Sequence, residues 1–169
     1  MIILFCGVPG SGKTTIAKCL AEILTEFGHV KLIVSDEIGS KVYERIFKLV
    51  EKGSNGADYI LVDATFYKKY WREVIETVGG RDHVLTCYLS CSLNTCLERN
   101  RARSPSLPER VIHIIHKEME RPLHPELSID TEKTAPHESA SKIADWIIRT
   151  RDELQCARSL TKRRNVNSV

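Results

Sequence analysis

The stretch Gly7-Val8-Pro9-Gly10-Ser11-Gly12-Lys13-Thr14 decides the fold of this chain. It matches the pattern G-x-x-x-x-G-K-[ST], in which a glycine-rich turn surrounds phosphate groups with backbone N–H groups. The apolar run Ile2–Cys6 precedes it and has the length of a buried parallel strand. Apolar residues at helical spacing follow it, from Ile16 to Leu24. The sequence therefore predicts a phosphate-binding turn between a strand and a helix.

Each residue type in this stretch has a chemical reason. Gly7, Gly10 and Gly12 let the backbone turn tightly, with no side chain between the backbone and a ligand. The N–H groups then point at phosphate oxygens, and the positive end of the following helix adds to them. Lys13 brings a positive charge to the β- and γ-phosphates, and the Thr14 hydroxyl can bind Mg²⁺. The stretch predicts a nucleoside triphosphate with magnesium and leaves the phosphate acceptor open.

Composition and charge narrow the class of protein. The 169 residues are 42% apolar and 28% charged, the balance of a single globular domain. The net charge of +3 does not by itself indicate nucleic acid, although Lys162-Arg163-Arg164 places positive charge near the C-terminus. No apolar stretch reaches the length of a membrane span, and the N-terminus has no basic leader. We therefore expect a cytoplasmic protein with no membrane partner.

The six cysteines do not form a metal-binding or redox motif in the sequence. No two of them are spaced as CxxC, which disfavours a zinc ribbon or a thioredoxin-like site. Cys6, Cys87 and Cys91 lie in or beside predicted buried strands. We expect these cysteines to be small core residues in a reducing compartment.

Strand-like and helix-like stretches alternate along the chain, which favours a parallel α/β sheet. The predicted strands are Ile2–Cys6, Val30–Val34, Tyr59–Val62, His83–Leu89 and Glu126–Asp130. The predicted helices cover residues 13–26, 38–52, 68–78, 92–103, 109–120 and 137–154. This pattern predicts one domain over residues 1–154. Residues 155–169 are polar and basic, and we expect them to form a flexible tail.

Two aspartates follow predicted strands at the edge where open parallel sheets bind ligands. Asp36 comes after the second strand and Asp63 ends the third, in the run Ile60-Leu61-Val62-Asp63. Phosphoryl transfer to a hydroxyl needs one carboxylate to orient the hydroxyl or accept its proton, and another group to complete the magnesium shell. Each aspartate could serve in either role. Asp36 could also cap the next helix.

Arginines dominate the helix after the fourth strand. Arg99 and Arg103 are four residues apart, which places them on one face of a helix. Kinases need mobile cations that close over the phosphates and exclude water. The proline-interrupted stretch Ser104–Pro108 would let such a segment move. We therefore predict a lid at about residues 92–122, although a solvated charged helix would show the same run.

Aromatic and basic residues alternate after the third strand, from Tyr67 to Arg72. Such a mixture could hold a nucleotide or RNA acceptor by stacking and by charge. It could equally begin an amphipathic helix, with Tyr70 or Trp71 in the core. The sequence leaves these two interpretations open.

Several longer segments resemble known small kinases over about residues 1–150. The run Ile60–Tyr67 with Arg72, and the run Cys96–Arg103, resemble segments of O-phosphoseryl-tRNA(Sec) kinase and of the Elongator-associated tRNA-dependent ATPase. Val34–Glu37 is similar to the second of these families. Leu127–Thr131 is similar to the end of adenylylsulfate kinase. The resemblance implies a three-layer P-loop NTPase fold, with a five-stranded parallel sheet in the order 2-3-1-4-5 and an arginine-rich helical lid.

The resemblance also implies roles for individual residues. It places ATP and Mg²⁺ on the turn from Gly10 to Thr15, which includes Ser11. Asp36 would lie beside the acceptor hydroxyl and contact the metal through water, while Thr14 would bind the metal directly. The resemblance makes Arg99 and Arg103 lid arginines. Acceptor contacts would come from Asp63, Tyr67 and Arg72.

The expected function is transfer of the γ-phosphoryl group of ATP to a hydroxyl acceptor, as in the seryl-tRNA and adenylylsulfate kinases. Lys13, Asp36, Arg99 and Arg103 would carry the catalysis. Two alternatives stay open. One is adenylylsulfate kinase itself, and the other is an ATP-binding regulatory switch acting on a tRNA-related partner. The sequence leaves open whether tRNA is bound and whether the protein is a monomer or a dimer.

Overall fold

The computed structural model of the chain describes residues 1–52 and 56–166. Its strands are β1 (Ile2–Cys6), β2 (Val30–Val34), β3 (Tyr59–Asp63), β4 (Val84–Ser90) and β5 (Leu127–Asp130). Its α-helices are α1 (Lys13–Leu24), α2 (Val42–Glu51), α3 (Lys69–Gly79), α4 (Leu93–Arg101), α5 (Glu109–Glu118) and α6 (Pro136–Val166). Short 3₁₀ turns cover Ser35–Glu37 and Arg81–His83.

The five strands form one parallel sheet in the order β2-β3-β1-β4-β5, as the sequence predicted. β1 lies in the middle, with Leu4 opposite Val62 of β3 on one side and Thr86 of β4 on the other. All the carboxyl ends therefore meet at one edge of the sheet, which is the edge where open α/β folds bind ligands.

Alternate residues of β1 explain the three layers. Ile3 and Phe5 point to one face of the sheet and pack in a buried cluster with residues of α1 and α6. Ile2, Leu4 and Cys6 point to the other face and pack with residues of α2 and α3. Side chains of a strand alternate between faces, so a strand apolar at every position must be covered on both sides.

Several predicted helix boundaries differ from the structure by one or more residues, and three of these differences have a clear local cause. α4 ends at Arg101 rather than at residue 103, because the approaching Ser104-Pro105 pair disfavours helical backbone before the proline. α2 begins at Val42 rather than near residue 38, because a 3₁₀ turn and the left-handed Gly39 (φ 74°) come first.

The last helix also differs from its predicted end near residue 154, because α6 continues to Val166. Residues 155–166 contain no glycine or proline and are rich in good helix formers, so nothing interrupts the helix. Residues 167–169, the end of the predicted tail, lie outside the described residues. The flexibility of residues 155–169 and the division at residue 154 stay predictions.

Among the helices of the described residues, none is both long enough and apolar enough to cross a membrane.

Candidate active site

A cavity of about 480 Å³ opens at the carboxyl edge of the sheet, beside the N-terminus of α1. It collects residues from the glycine-rich loop, from the ends of β2, β3 and β5, and from α4 and the loop that follows it. The lining residues are Pro9, Gly10, Gly12, Lys13, Thr14, Thr15, Ile16, Ser35, Asp36, Asp63, Thr65, Arg99, Arg103, Leu107, Thr131, Thr134 and Pro136. Most of the predicted catalytic and phosphate-binding residues therefore share one site.

The glycine-rich loop needs glycine because of its shape and its neighbours. Gly10 has φ 88°, and a Cβ built there would lie 2.5 Å from the backbone oxygen of Cys96 in α4. Gly12, also at φ 88°, is the N-cap of α1. The loop thus lies directly against α4 and leads into the positive end of α1, which favours an anion.

Lys13 is almost fully buried beneath the loop. Its Nζ donates hydrogen bonds to the carbonyl oxygens of Gly7 at 2.9 Å and Val8 at 3.1 Å. Burial lowers the pKa of the Lys13 ammonium, and the negative charge of Asp63 opposes that change. A bound phosphate would bring negative charge next to the buried ammonium and so stabilise its charged form.

Thr14 and Asp63 form the tightest polar contact of the site. The Thr14 hydroxyl donates to Oδ2 of Asp63 at 2.5 Å. Burial raises the pKa of the Asp63 carboxyl, while the Lys13 charge and the Thr14 hydrogen bond oppose the rise. A hydroxyl and a carboxylate side by side are oxygen ligands of the kind that Mg²⁺ prefers, so these residues fit the ion.

Asp36 lies elsewhere in the cavity, in the 3₁₀ turn after β2. Its Oδ2 accepts a hydrogen bond from Nη2 of Arg103 at 2.9 Å, and the two side chains are 59% and 37% exposed. This exposure leaves Asp36 reachable by an acceptor from solution. The structure places Asp63, rather than Asp36, against the Thr14 hydroxyl. The sequence prediction linked Asp36 to both the metal and the acceptor hydroxyl, and Asp63 to the acceptor.

Arg99 joins the loop to the end of β5. Its Nη1 donates to the side-chain oxygen of Thr131 at 2.9 Å and approaches the Gly10 carbonyl oxygen at 3.4 Å. Its Nη2 donates to the Thr131 carbonyl oxygen at 2.9 Å. Sequence reasoning did not assign Thr131 to the site, although it follows β5 just as Asp36 follows β2. The rule that strand ends carry site residues could have found it.

The loop between α4 and α5 is held by Asn100, whose side chain is 2% exposed. The Asn100 amide donates to the Leu107 carbonyl oxygen and accepts from the Leu107 N–H, both at 2.9 Å. Leu107 and Arg103 both line the cavity. This segment is therefore anchored at Asn100 and borders the cavity, while its role as a lid stays a prediction.

Tyr67 and Arg72 do not line this cavity, although the sequence predicted acceptor contacts there. Arg72 is 5% exposed and its Nη1 donates to the Phe66 carbonyl oxygen at 2.6 Å. Phe66 has a left-handed backbone with φ 45°, and its N–H donates to the Tyr43 hydroxyl. Arg72 thus supports the backbone turn next to Thr65, which does line the cavity.

The two neighbouring aromatic residues of this region lie in different environments, one packed against the core and the other in solvent. Trp71 is partly buried against the core and its ring stacks on that of Tyr43, with centroids 4.6 Å apart. Tyr70 is 61% exposed. Trp71 therefore serves mainly in packing, and Tyr70 is the residue that solvent reaches.

Comparison with known proteins decides the family. The profile of a family described as an AAA domain matches residues 2–122, which include the glycine-rich loop, both aspartates and the segment of Arg99 and Arg103. The chain belongs to this family of P-loop kinase domains. The expected relationship to small P-loop kinases is thereby confirmed.

Curated relatives of this P-loop kinase include two named activities. The chain is 30% identical over 167 residues to a probable adenylyl-sulfate kinase of Halalkalibacterium halodurans, covering 86% of this chain and 82% of that protein. It is 24% identical over 151 residues to an L-seryl-tRNA(Sec) kinase of Methanococcus maripaludis. That match covers 78% of this chain and 59% of the relative. The family match and these kinase relatives together show that the chain is an ATP-dependent phosphotransferase.

Solved structures give the same fold. The Mycobacterium tuberculosis APS kinase CysC, solved in complex with AMPPNP and APS, superposes with a TM-score of 0.67 at 19% identity. The alignment covers 86% of this chain and 96% of the other. At this identity the likeness confirms the α/β P-loop kinase fold.

Proposed function

We propose that this kinase transfers the γ-phosphoryl group of ATP to a hydroxyl group of its acceptor. One observation carries the proposal. Lys13 and the Thr14–Asp63 pair lie in the same cavity as the Asp36–Arg103 pair. The first group suits a nucleotide with its metal, and the second offers a carboxylate and a cation to whatever approaches it.

The two aspartates divide the work in this proposal. Asp63 is buried and contacts Thr14, so these two residues would hold Mg²⁺, which neutralises phosphate charge when bound. Asp36 is exposed and hydrogen-bonded to Arg103, so it would orient the acceptor hydroxyl and take its proton. This division keeps Asp36 beside the acceptor hydroxyl, as the sequence predicted, and moves the contact with the metal from Asp36 to Asp63.

In the proposed transfer step, these residues account for the bond that forms, the bond that breaks and the proton that leaves. The acceptor oxygen forms a bond to the γ-phosphorus, the bond from that phosphorus to the bridging oxygen of the β-phosphate breaks, and ADP leaves. The hydroxyl proton passes to the Asp36 carboxylate. Lys13, Arg99 and Arg103 face the cavity and would stabilise charge on the transferring group, and the segment anchored by Asn100 would exclude water.

Matched substitutions of the aspartates test this division. We expect Asp63→Asn to weaken magnesium-dependent ATP binding, measured by calorimetry with and without Mg²⁺. We expect Asp36→Asn to bind ATP and Mg²⁺ normally and to lose about 10²-fold or more in kcat, the usual contribution of a catalytic base. Asp145→Asn, at an exposed position of α6, controls for charge removal and should change neither.

The result would contradict the proposed roles if Asp36→Asn lost magnesium-dependent binding while Asp63→Asn kept it. If both variants lost both magnesium-dependent ATP binding and turnover, the two aspartates would not have the separate roles proposed here. Lys13→Ala should abolish phosphoryl transfer, and unchanged transfer in that variant would contradict the assignment of the whole site.

The acceptor class requires a panel of hydroxyl compounds. Adenylylsulfate is the first to try, because the Halalkalibacterium halodurans relative, at 30% identity, is a probable adenylyl-sulfate kinase. Seryl-tRNA, gluconate, serine and nucleosides complete the panel. We expect one of them to raise ATP consumption by orders of magnitude. Tight ATP binding with no responsive acceptor would contradict the transfer proposal and favour the regulatory switch.

A further inference from the structure

Two thiols meet immediately behind the phosphate-binding loop. The Sγ atoms of Cys91 and Cys96 lie 2.7 Å apart. Cys91 is the residue before Ser92, the N-cap of α4, and Cys96 is in the first turn of that helix. Cys91 is half-buried and Cys96 fully buried. A disulfide bond is about 2.05 Å long, so bond formation requires each sulfur to move by only a fraction of an ångström.

The surroundings of the pair favour reaction at Cys91. A hydrogen bond with Cys96 and the nearby positive charge of Arg99 lower the pKa of the Cys91 thiol, against the effect of burial. The same hydrogen bond and burial raise the pKa of Cys96. Cys91 is therefore the thiol of the pair that ionises more readily, which suits it to attack and Cys96 to act as the resolving cysteine.

This pair is mechanically connected to the nucleotide site. The Cys96 backbone packs against Gly10, where even one added carbon atom would clash. Arg99, three residues further along α4, reaches the Gly10 carbonyl oxygen and Thr131. The Cys91 sulfur itself lies 4.0 Å from the Gly10 carbonyl oxygen. A change in the position of Cys96 is therefore passed to the loop by direct contact.

We propose that Cys91 and Cys96 form a modification site, a dithiol that peroxides oxidise to a disulfide, and that the oxidised kinase binds nucleotide more weakly. The Cys91 thiolate attacks one peroxide oxygen and breaks the O–O bond, which gives a sulfenic acid and hydroxide. The Cys96 sulfur then bonds to the Cys91 sulfur. The sulfenic hydroxyl leaves as water with the Cys96 proton, so two thiols and one hydrogen peroxide give one disulfide and two waters.

Access supports this site. Cys91 does not line the large cavity but borders a small groove with Val8, Ser11 and Tyr88 on the other side of the loop. A small oxidant can therefore reach Cys91 without entering the nucleotide site. The proposal depends on nucleotide binding by the loop but not on the identity of the phosphate acceptor.

The test treats the purified full chain with hydrogen peroxide, alkylates the remaining thiols and maps peptides by mass spectrometry. We expect a cross-linked peptide that joins Cys91 to Cys96. We also expect ATP affinity, measured by calorimetry, to fall about fivefold or more, the lower end of typical coupling between sites. Dithiothreitol should restore both. Cys91→Ser should keep its ATP affinity in peroxide, while Cys19→Ser, at another half-buried cysteine, should respond as the wild type does.

The alternative is that the two thiols only pack as the apolar pair that often flanks a helix start. Absence of the cross-linked peptide in the wild type would establish that alternative and overturn the site. Equal loss of ATP affinity in Cys91→Ser would trace the effect to another residue. A disulfide that leaves ATP affinity unchanged would overturn the coupling to the loop.

Discussion

Two glycines with similar backbone conformations allow the contact between the phosphate-binding loop and α4 to be measured. Gly10 and Gly39 have φ 88° and 74°, in the region that favours glycine. Apart from its two chain neighbours, a Cβ at Gly39 would meet no atom of the described residues within 4 Å. A Cβ at Gly10 would lie 2.5 Å from the Cys96 carbonyl oxygen and 2.9 Å from its Cα. Both substitutions to alanine carry the backbone cost, but only Gly10→Ala adds a clash.

The expected magnitudes follow from these differences. Left-handed backbone costs an alanine about 1–2 kcal/mol, and the smaller entropy of its unfolded chain returns about 0.4–1 kcal/mol. Gly39→Ala should therefore lower the free energy of unfolding by about 1 kcal/mol. At Gly10 ordinary contact begins at 3.4 Å, and the opposing atoms are backbone that cannot rotate away. Overpacking adds about 1–3 kcal/mol, for a total of about 3 kcal/mol.

Urea unfolding measures the free energies, and calorimetric titration with ATP and Mg²⁺ measures binding in the same variants. We expect Gly39→Ala to bind ATP as the wild type does, because Gly39 lies outside the cavity lining. Gly10→Ala should lose both stability and ATP affinity. Equal destabilisation in the two variants, with ATP affinity retained in Gly10→Ala, would refute the proposed contact between the loop and α4.

Three further substitutions test one buried core residue and two supports of the loops around the site. Burial raises the pKa of the Cys87 thiol from 9.0 to about 12; because the folded thiol keeps its proton while the unfolded one ionises, stability falls as pH rises above 9. Relative to Cys87→Ala, the wild type should lose about 2 kcal/mol of unfolding free energy between pH 8 and about 10.5, measured by urea unfolding. Urea midpoints that change with pH by the same amount in both proteins would contradict this prediction. Asn100→Ala frees both backbone groups of Leu107 and should speed amide hydrogen exchange in residues 102–108; unchanged exchange would show that Asn100 does not hold the loop. Arg72→Met removes the buried donor to Phe66 and should cost about 1.5–3 kcal/mol in urea unfolding, whereas a loss below 0.5 kcal/mol would mean that the turn holds itself.

The parts that local pattern determines were predictable from the sequence. The glycine-rich loop, the strand before it and the helix after it are contiguous, so one motif specifies all three. Asp36 and Asp63 could be placed in the site because both follow strands whose carboxyl ends meet at one edge. The order of the strands came from the resemblance to known kinases, since alternation of strands and helices alone permits several orders.

The contacts between distant segments were beyond sequence reasoning. Which aspartate meets Thr14 depends on the register of β1 and β3, where Phe5 lies opposite Asp63. Arg72 follows Phe66 by six positions and bonds its carbonyl oxygen, because the chain reverses at the left-handed Phe66. An arginine after an aromatic run gives no sign that its side chain is buried. The same limit hid the thiol pair, because CxxxxC spacing has no characteristic function of its own.

The central sheet has one more consequence, for how such a chain can diversify. Residues of α1 and α6 pack on one face of the sheet, and residues of α2 and α3 pack on the other. Asp36 and Thr65 lie in the connections that lead into α2 and α3. Mutations in the connection around Asp36 can be absorbed by repacking against α2. The connection around Thr65 is less free, because the Thr65 carbonyl oxygen accepts a hydrogen bond from the Gly7 N–H of the phosphate-binding loop. We therefore expect a change of acceptor during evolution to arise more easily from substitutions around Asp36 than from substitutions around Thr65, which would also disturb the nucleotide-binding loop.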